Sequence, residues 1–456
     1  MKDHASLRAD GEAIFRAGVR RVDPRPMVRE ALSLDGSVLT IHAEEKSQAW
    51  DLANFDRVMV LGFGKASARM ALGLEDALGK RIHGGLIAVK HGHGEILGFM
   101  ELIEASHPVP DESSALAARR ILSLANEADE KTLAIILVSG GGSAILCAPW
   151  DDGEHRISLA DKAGITSALL ACGADIREIN TVRRHFSAVK GGRLAAALAP
   201  ATVVSLVLSD VLGDELSSIA SGPTVPDATS WADAMEVIER YGIARRLPET
   251  AMQLLHDGLS GLVPDTPKPG DPLFDRVSNI ILGSNRQAAL AAAARAEELG
   301  YHTLYLGSRV ACEAREAALF YQGIAASCAS HGEPLPLPAC IIGGGETTVT
   351  IQGEGKGGRN QEMALAFLCG LIDMEPALAG RLCFLSGGTD GNDGPTDAAG
   401  AFADTSLLGA SKEAGLNPRE FLASNDSYQF FDKIQGLLKT GPTNTNVCDL
   451  QISLII

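Results

Sequence analysis

The feature that most constrains the fold is a repeated local pattern. A short apolar run ends in glycines, and a helical stretch follows. Residues 58–61 read as a strand and 65–78 as a helix; 86–89 read as a second strand. Residues 112–127 read as a helix with Asp111 as its N-cap, since an aspartate carboxylate can accept from the first free amides of a helix. Residues 133–138 form an apolar run ending in SGGGSA, and 203–208 one ending in SDVLGD. Such runs alternating with helices predict parallel strands covered on both faces.

The expected fold is therefore α/β. Residues 1–240 read as an N-terminal domain with a doubly wound, mostly parallel, Rossmann-like sheet. Between 221 and 275 the prolines cluster (Pro223, Pro226, Pro248, Pro264, Pro267, Pro269, Pro272), so 241–278 reads as an interdomain connection. A second α/β set starts at Asn279 with IILG, a helix over 286–299, TLYLG and a helix over 313–327. It continues with a strand at 340–342, the alternating TTVTI, a helix over 360–371, LCFLS and finally LQISLII. Residues 279–456 thus read as a C-terminal α/β domain with a mixed sheet. No internal repeat is visible.

Charge and cysteine usage exclude several classes. Lys and Arg number 40 against 57 Asp and Glu, a net charge of −17, which repels nucleic-acid backbones. A small anionic substrate stays compatible, because a few fixed cations in one cleft outweigh a distant field. The eight cysteines include no CxxC pair, so neither a zinc site nor a disulfide framework is expected. The N-terminus shows no apolar signal region. The longest uncharged stretch, 194–209, is interrupted by Pro200 and is shorter than the ~20 residues that span a bilayer. These features predict a cytoplasmic protein without a membrane or nucleic-acid partner; the oligomeric state stays open, a homodimer included.

Five loops concentrate the polar chemistry, four of them after expected strands, where ligands bind in open α/β sheets. The first is Gly62-Phe63-Gly64-Lys65-Ala66-Ser67. It lacks the third glycine of a dinucleotide fingerprint and does not fit a Walker A loop. What remains is a helix start with one lysine, a ready anion site or else a plain turn. The second, Ser139-Gly140-Gly141-Gly142-Ser143, offers bare backbone amides to a phosphate. The third runs from Asn180 to Arg193 and holds Arg183, Arg184, Lys190 and Arg193. On one helix Arg183 and Lys190 would share a face and could hold a carboxylate or phosphate; His185 reads as structural. The fourth, Gly343-Gly344-Gly345-Glu346-Thr347, leads to GEGKGGRNQE, where Arg359 opens a helix against the dipole unless an anion sits there. The fifth, SGGTDGNDGPTD, holds Asp390, Asp393 and Asp397 and suits magnesium better than calcium. His91 and His93 (HGH) make a weak metal pair.

Together these residues are recognisable. EASHPVPDE, SGGGSA, NTVRRHFSAVKGGRLA, LSDVLGDELSSIASGPTVPD, GGGETTVTIQGEGKGGRNQE, GGTDGNDGPTDAAGA, NDSY and TGPTNTNV occur in order. Over nearly its whole length the chain resembles the MOFRL-type (class II) glycerate 2-kinases. The resemblance implies two α/β domains with the site in the cleft between them. It also implies phosphorylation of D-glycerate on its 2-hydroxyl by ATP and Mg²⁺. The family's lysine and arginine map onto Lys65 and Arg359, which would close on the migrating phosphoryl group. Gly62, Gly64, the 139–143 loop, Gly344, Gly345, Glu346 and Thr347 would line the nucleotide. Asp210 or Asp390 would take the hydroxyl proton or, with Asp393, orient the metal. Arg183, Lys190 and Asn360 would hold glycerate. The chain departs from the family pattern at Asn444, where glycine is expected, and at Cys448, where asparagine is expected. Rival readings are an NAD(P)H-dependent hydroxypyruvate reductase and a non-catalytic sugar-acid or nucleotide sensor.

Overall fold

The computed structural model describes residues 2–44 and 47–456. They group into two compact units. One takes Pro24–Ser209 and Asp214–Leu282; the other takes the chain up to Asp23, Asp210–Gly213 and Gly283–Ile456.

The first unit is built on a six-stranded sheet of Arg57–Phe63, Gly84–Lys90, Glu101–Ala105, Thr132–Val138, Thr202–Leu208 and Val277–Gly283. Numbered along the chain, the strands lie in the order 3-2-1-4-5-6. The four pairings among the first five are all parallel. This is the doubly wound arrangement, whose order reverses between strands one and four. Thr132–Val138 is buried at all seven positions, which is why its sequence, TLAIILV, shows no polar alternation. The helix Glu112–Asn126 starts where expected: the Asp111 carboxylate accepts from Ser113 and Ser114 amides in a capping box. A three-stranded antiparallel meander (Leu32–Asp35, Val38–Ile41, Gln48–Asp51) belongs to the same unit.

The α/β reading holds in both units, but the boundaries differ from those expected. Residues 241–278 are not a connection. Helix Glu249–Leu259 buries Leu254 and Leu255 in a cluster with Trp231, Ile238, Ile165 and Val182. The proline-rich segment is tied to it, with Trp231 Nε1 donating to Pro264 O at 3.4 Å. The strand expected to open the second set, Val277–Gly283, is instead the sixth strand of the first sheet.

In the second unit the order is His302–Val310, Ala339–Gly345, Asp449–Ile455, Leu382–Gly388, Gly400–Asp404, Leu437–Leu438. Asp449–Ile455 runs antiparallel to both its neighbours, and all seven of its residues are buried. Helix His4–Arg21 belongs here rather than with the residues that follow it. Gly18 lies so close to Leu450 and Ala288 that a Cβ would come within 2.7 Å and 2.8 Å of them. Gly343–Gly345 lie inside a strand rather than in a loop. A Cβ at Gly344 would fall 1.9 Å from Asn285 Oδ1, so these glycines serve strand–helix contact. The alternating TTVTI forms no strand; Thr348 makes only an isolated bridge with Glu313. Asn444 and Cys448 sit at φ of 61° and 66°, the left-handed region that glycine and asparagine tolerate best, so Asn444 suits its position while the backbone does not explain Cys448.

Candidate active site

In the parallel-sheet unit the glycine loops after strands one and four meet at the order reversal. Gly64 has a φ of 124°, and a Cβ there would fall 2.3 Å from Ser139 Oγ. The Lys65 amide donates to Gly140 O at 2.8 Å, the Ala66 amide to Ser139 Oγ at 3.0 Å, and the Ser67 amide to Gly64 O at 3.3 Å. The amide cradle expected at this helix start is therefore consumed inside the protein. Ser67, standing where the fingerprint needs glycine, is buried and donates to Gly64 O at 2.8 Å and Ala88 O at 3.1 Å. What stays free is the Lys65 side chain, which has no hydrogen bond or ion pair among the described residues, and the amides of Gly140 and Gly141.

Gly141, at a φ of 78°, brings these groups together. Its Cβ would lie 2.9 Å from His107 Cδ2 and 3.2 Å from Lys65 Cε. Burial, then Lys65, Lys90 and His93, hold the His107 imidazole down to about 4, so it is neutral at pH 7. Sequence reasoning missed His107 as a site residue, although it lies in the EASHPVPDE block; a histidine alone in a loop gives no sign of the lysines around it. His91 and His93 do not pair on a metal: His91 lies 3.5 Å from Glu104, and His93 is held down by burial and Lys90.

The four cations of the third loop take different tasks. The helix is Ile176–His185, so Lys190 lies beyond its end and shares no helix face with Arg183. Arg184 pairs with buried Asp227 at 3.0 Å. Arg193 donates to Arg184 O at 2.8 Å and Ser187 O at 2.9 Å and stacks on Trp150. Buried Lys190 donates to Ser143 Oγ at 2.8 Å, Ser143 O at 3.2 Å and Ala220 O at 3.4 Å, which uses its three protons. It braces the SGGGS loop and has no donor left for glycerate. Arg183 has no hydrogen bond or ion pair with any described residue, and its buried Nε lacks an acceptor. His185 is structural, between Thr181 O at 2.7 Å and Asp265 at 3.0 Å.

In the mixed-sheet unit the polar cluster lies where Gly345 and Gly388 pair with Asp449. Arg359 makes a two-point contact with fully buried Asp449, Nε to Oδ2 at 2.5 Å and Nη2 to Oδ1 at 2.9 Å. Its Nη1 reaches Glu346 at 3.0 Å. Burial pushes the Asp449 carboxyl up, and Arg359 opposes that. The helix-dipole conflict at Arg359 is thus resolved by protein carboxylates rather than by a bound anion. Asp393 caps the same helix, accepting from the Asn360 amide at 3.1 Å and the Gln361 amide at 2.8 Å. Burial raises it to about 6. Asn360 is buried, donating to Asp393 and accepting from Ser386 Oγ at 2.6 Å, so it is closed to substrate. Asp449 escaped sequence reasoning; its signal is a charge heading an otherwise apolar seven-residue strand.

Asp390 accepts from the Asn392 amide at 2.9 Å, and the Asp210 carbonyl accepts from the Cys448 thiol at 3.3 Å. Among the described residues no three His, Cys, Asp or Glu side chains converge as metal ligands. Asp393 is committed to its helix, which leaves Asp210 and Asp390 as the candidates for a magnesium that takes one or two carboxylates beside nucleotide phosphates. Glu346 is exposed and Thr347 buried, its hydroxyl without a partner. Thr347, Gly355, Gly357, Arg359, Asp393 and Asn425 contribute to the lining of a cavity of about 360 Å³.

A family model described as a domain of unknown function (DUF4147) matches residues 10–256, and the MOFRL family model matches residues 339–449. D-glycerate 2-kinase of Thermotoga maritima is 43% identical over 88% of this chain and 92% of its own. Glycerate 2-kinase of Pyrococcus horikoshii is 39% identical over 98% of this chain and 96% of its own. The chain belongs to the MOFRL-type glycerate 2-kinase family. The crystal structure of the Thermotoga maritima glycerate kinase superposes with a TM-score of 0.87, covering 99% of this chain and 100% of that one, at 39% identity. No described helix is long and apolar enough to cross a membrane.

Proposed function

We propose that this protein transfers the γ-phosphoryl group of ATP to the 2-hydroxyl of D-glycerate, giving 2-phosphoglycerate. The observation that carries the reading is the free Lys65 ammonium over Gly141, beside two unused amides, at the order reversal of a doubly wound sheet. Phosphoryl transfer asks a protein mainly for positioning and charge stabilisation, and these are fixed donors with no internal acceptor to give up. Lys65 neutralises charge on the migrating group, and the Gly140 and Gly141 amides take phosphate oxygens. Arg359 contributes positive charge while Asp449 holds its guanidinium in one orientation. Arg183 receives the acid. Asp210 and Asp390 are the proposed acceptors of the hydroxyl proton. Magnesium would be held by the nucleotide phosphates with Asp210 or Asp390, and would supply charge neutralisation there.

Reduction of hydroxypyruvate by a nicotinamide is disfavoured by Ser67, whose buried hydroxyl ties the first loop shut where a dinucleotide needs close approach. The test is incubation with ATP, magnesium and D-glycerate, with ADP release coupled to phosphorus NMR of the product. The proposal expects 2-phosphoglycerate. Exclusive 3-phosphoglycerate, or no ADP above background, sinks it; oxidation of NADH by hydroxypyruvate would install the rival.

A further inference from the structure

We propose that Lys162 and Arg183 form a buried carboxylate pocket, and that Lys162 is a specificity-determining residue that makes the enzyme select an acid over its neutral analogue. The inference rests on the phosphoryl-transfer reading above and adds to it a residue and a recognition rule.

Lys162 lies on the helix Leu159–Ala171, one residue past Asp161, which closes a capping box with Ser158. The start of the helix is thereby fixed, and the side chain is 5% exposed. Its ammonium makes a long contact of 3.5 Å to Ala148 O and hydrogen-bonds the Cys147 side chain, but meets no carboxylate. No carboxylate lies within ion-pair distance among the described residues. Arg183 beside it has a buried Nε without an acceptor and no ion pair. Lys190 stands behind both, already braced on Ser143 and Ala220.

Two buried ammonium groups beside a half-buried guanidinium, with no anion among them, are costly unless they lose charge or a ligand supplies it. The electrostatics point the same way: burial lowers Lys162, Arg183 and Lys190, Arg183 further depresses Lys162, and both depress Lys190. Other buried cations in the unit show how the protein normally settles such a debt. Arg184 has Asp227, and Arg193 has two backbone carbonyls. Lys162 has only the long Ala148 contact and the Cys147 side chain, and Arg183 has no partner among the described residues. A planar guanidinium fork with an ammonium beside it matches one carboxylate. The tetrahedral phosphoryl oxygens already have Lys65 and the glycine amides. The SGGGS loop joins the two regions, since Ser143 holds Lys190 while Gly140 and Gly141 meet Lys65.

The test is Lys162→Met, which keeps length and removes charge. Loss of one partner of a buried, hydrogen-bonded ion pair predicts a rise in KM for D-glycerate of about 30-fold or more. KM for ATP should stay within about twofold, and the preference for D-glycerate over D-glyceramide should fall by the same factor as the D-glycerate KM rises. Lys162→Arg should recover most of that preference. A rise confined to the ATP KM would place a nucleotide phosphate in the pocket and overturn the proposal, as would unchanged acid-over-amide preference. Should the Met variant not fold, wild-type thermal unfolding decides: D-glycerate must raise the midpoint and D-glyceramide must not, and equal shifts refute the pocket. Absence of phosphoryl transfer by the wild type would refute the assigned activity alone, because the unfolding arm reads binding without turnover.

Discussion

Replacing Gly64 by alanine tests the claim that the two glycine loops must touch. The backbone there sits at a φ of 124°, and the new Cβ would lie 2.3 Å from Ser139 Oγ and 2.4 Å from Ser139 O. The second of these is backbone, so no side-chain rotation relieves it. Strained φ costs about 1–3 kcal/mol. Forcing a methyl into a filled space costs about 1–3 kcal/mol more. A loss of about 4 kcal/mol is expected, lowering the unfolding midpoint of this unit by about 10 °C. Gly79→Ala is the control: its φ is 51°, and nothing lies within 4 Å of the added carbon. Its ψ of −126° puts it in a region that L residues rarely adopt, so it should cost about 1–3 kcal/mol from conformation alone, without the added clash. Thermal and urea unfolding of both variants, with turnover at saturating substrates, measure the contrast. If Gly64→Ala is no less stable than Gly79→Ala and keeps wild-type turnover, the reasoning about loop contact is wrong.

Lys65→Ala should lower turnover more than tenfold, about 1.4 kcal/mol of barrier or more, with an unchanged melting temperature, because the side chain has no protein partner to lose. Arg359→Ala should cost about 3–5 kcal/mol by leaving Asp449 buried and unpaired, and the loss should shrink as pH falls and the carboxyl takes a proton. The double variant Arg359→Met with Asp449→Leu should regain much of that stability but no activity, which separates folding from catalysis. Asp111, held down to about 2 chiefly by the Ser113 hydroxyl, has a folded pKa below its unfolded one, so its contribution is present above about pH 4 and fades as pH falls towards 2. Asp111→Ala should flatten that part of the acid-unfolding curve and cost about 1 kcal/mol at neutral pH.

Strands and switch-point loops were legible because burial on both faces writes an unbroken apolar run, as in TLAIILV, and glycines mark where one backbone meets another. Partnership was not legible. The local spacing of Arg183, Arg184, Lys190 and Arg193 gives no indication that Asp227 neutralises one, that backbone carbonyls hold two others, or that one has no partner. The same limit hid Asp449, 90 positions from the arginine it fixes. Gly343–Gly345 looked like a loop because glycine suits turns, yet it serves equally where Tyr321 and Asn285 press on a strand. The prolines of 264–272 suggested a tether, since nothing local signals that Trp231 Nε1 and the Asp227 amide hold the Pro264 and Pro267 carbonyls against a core.

The position of Asp449–Ile455 has a consequence for biosynthesis. It is the keystone of its sheet, gripping strands that begin 67 and 110 positions earlier, at Leu382 and Ala339. Helix His4–Arg21 rests partly on that same strand, so this segment waits for one made more than 400 positions later. The parallel sheet can assemble while translation continues, but its companion stays open until the nascent chain has passed residue 455, and during that interval its unpaired edges need shelter from aggregation.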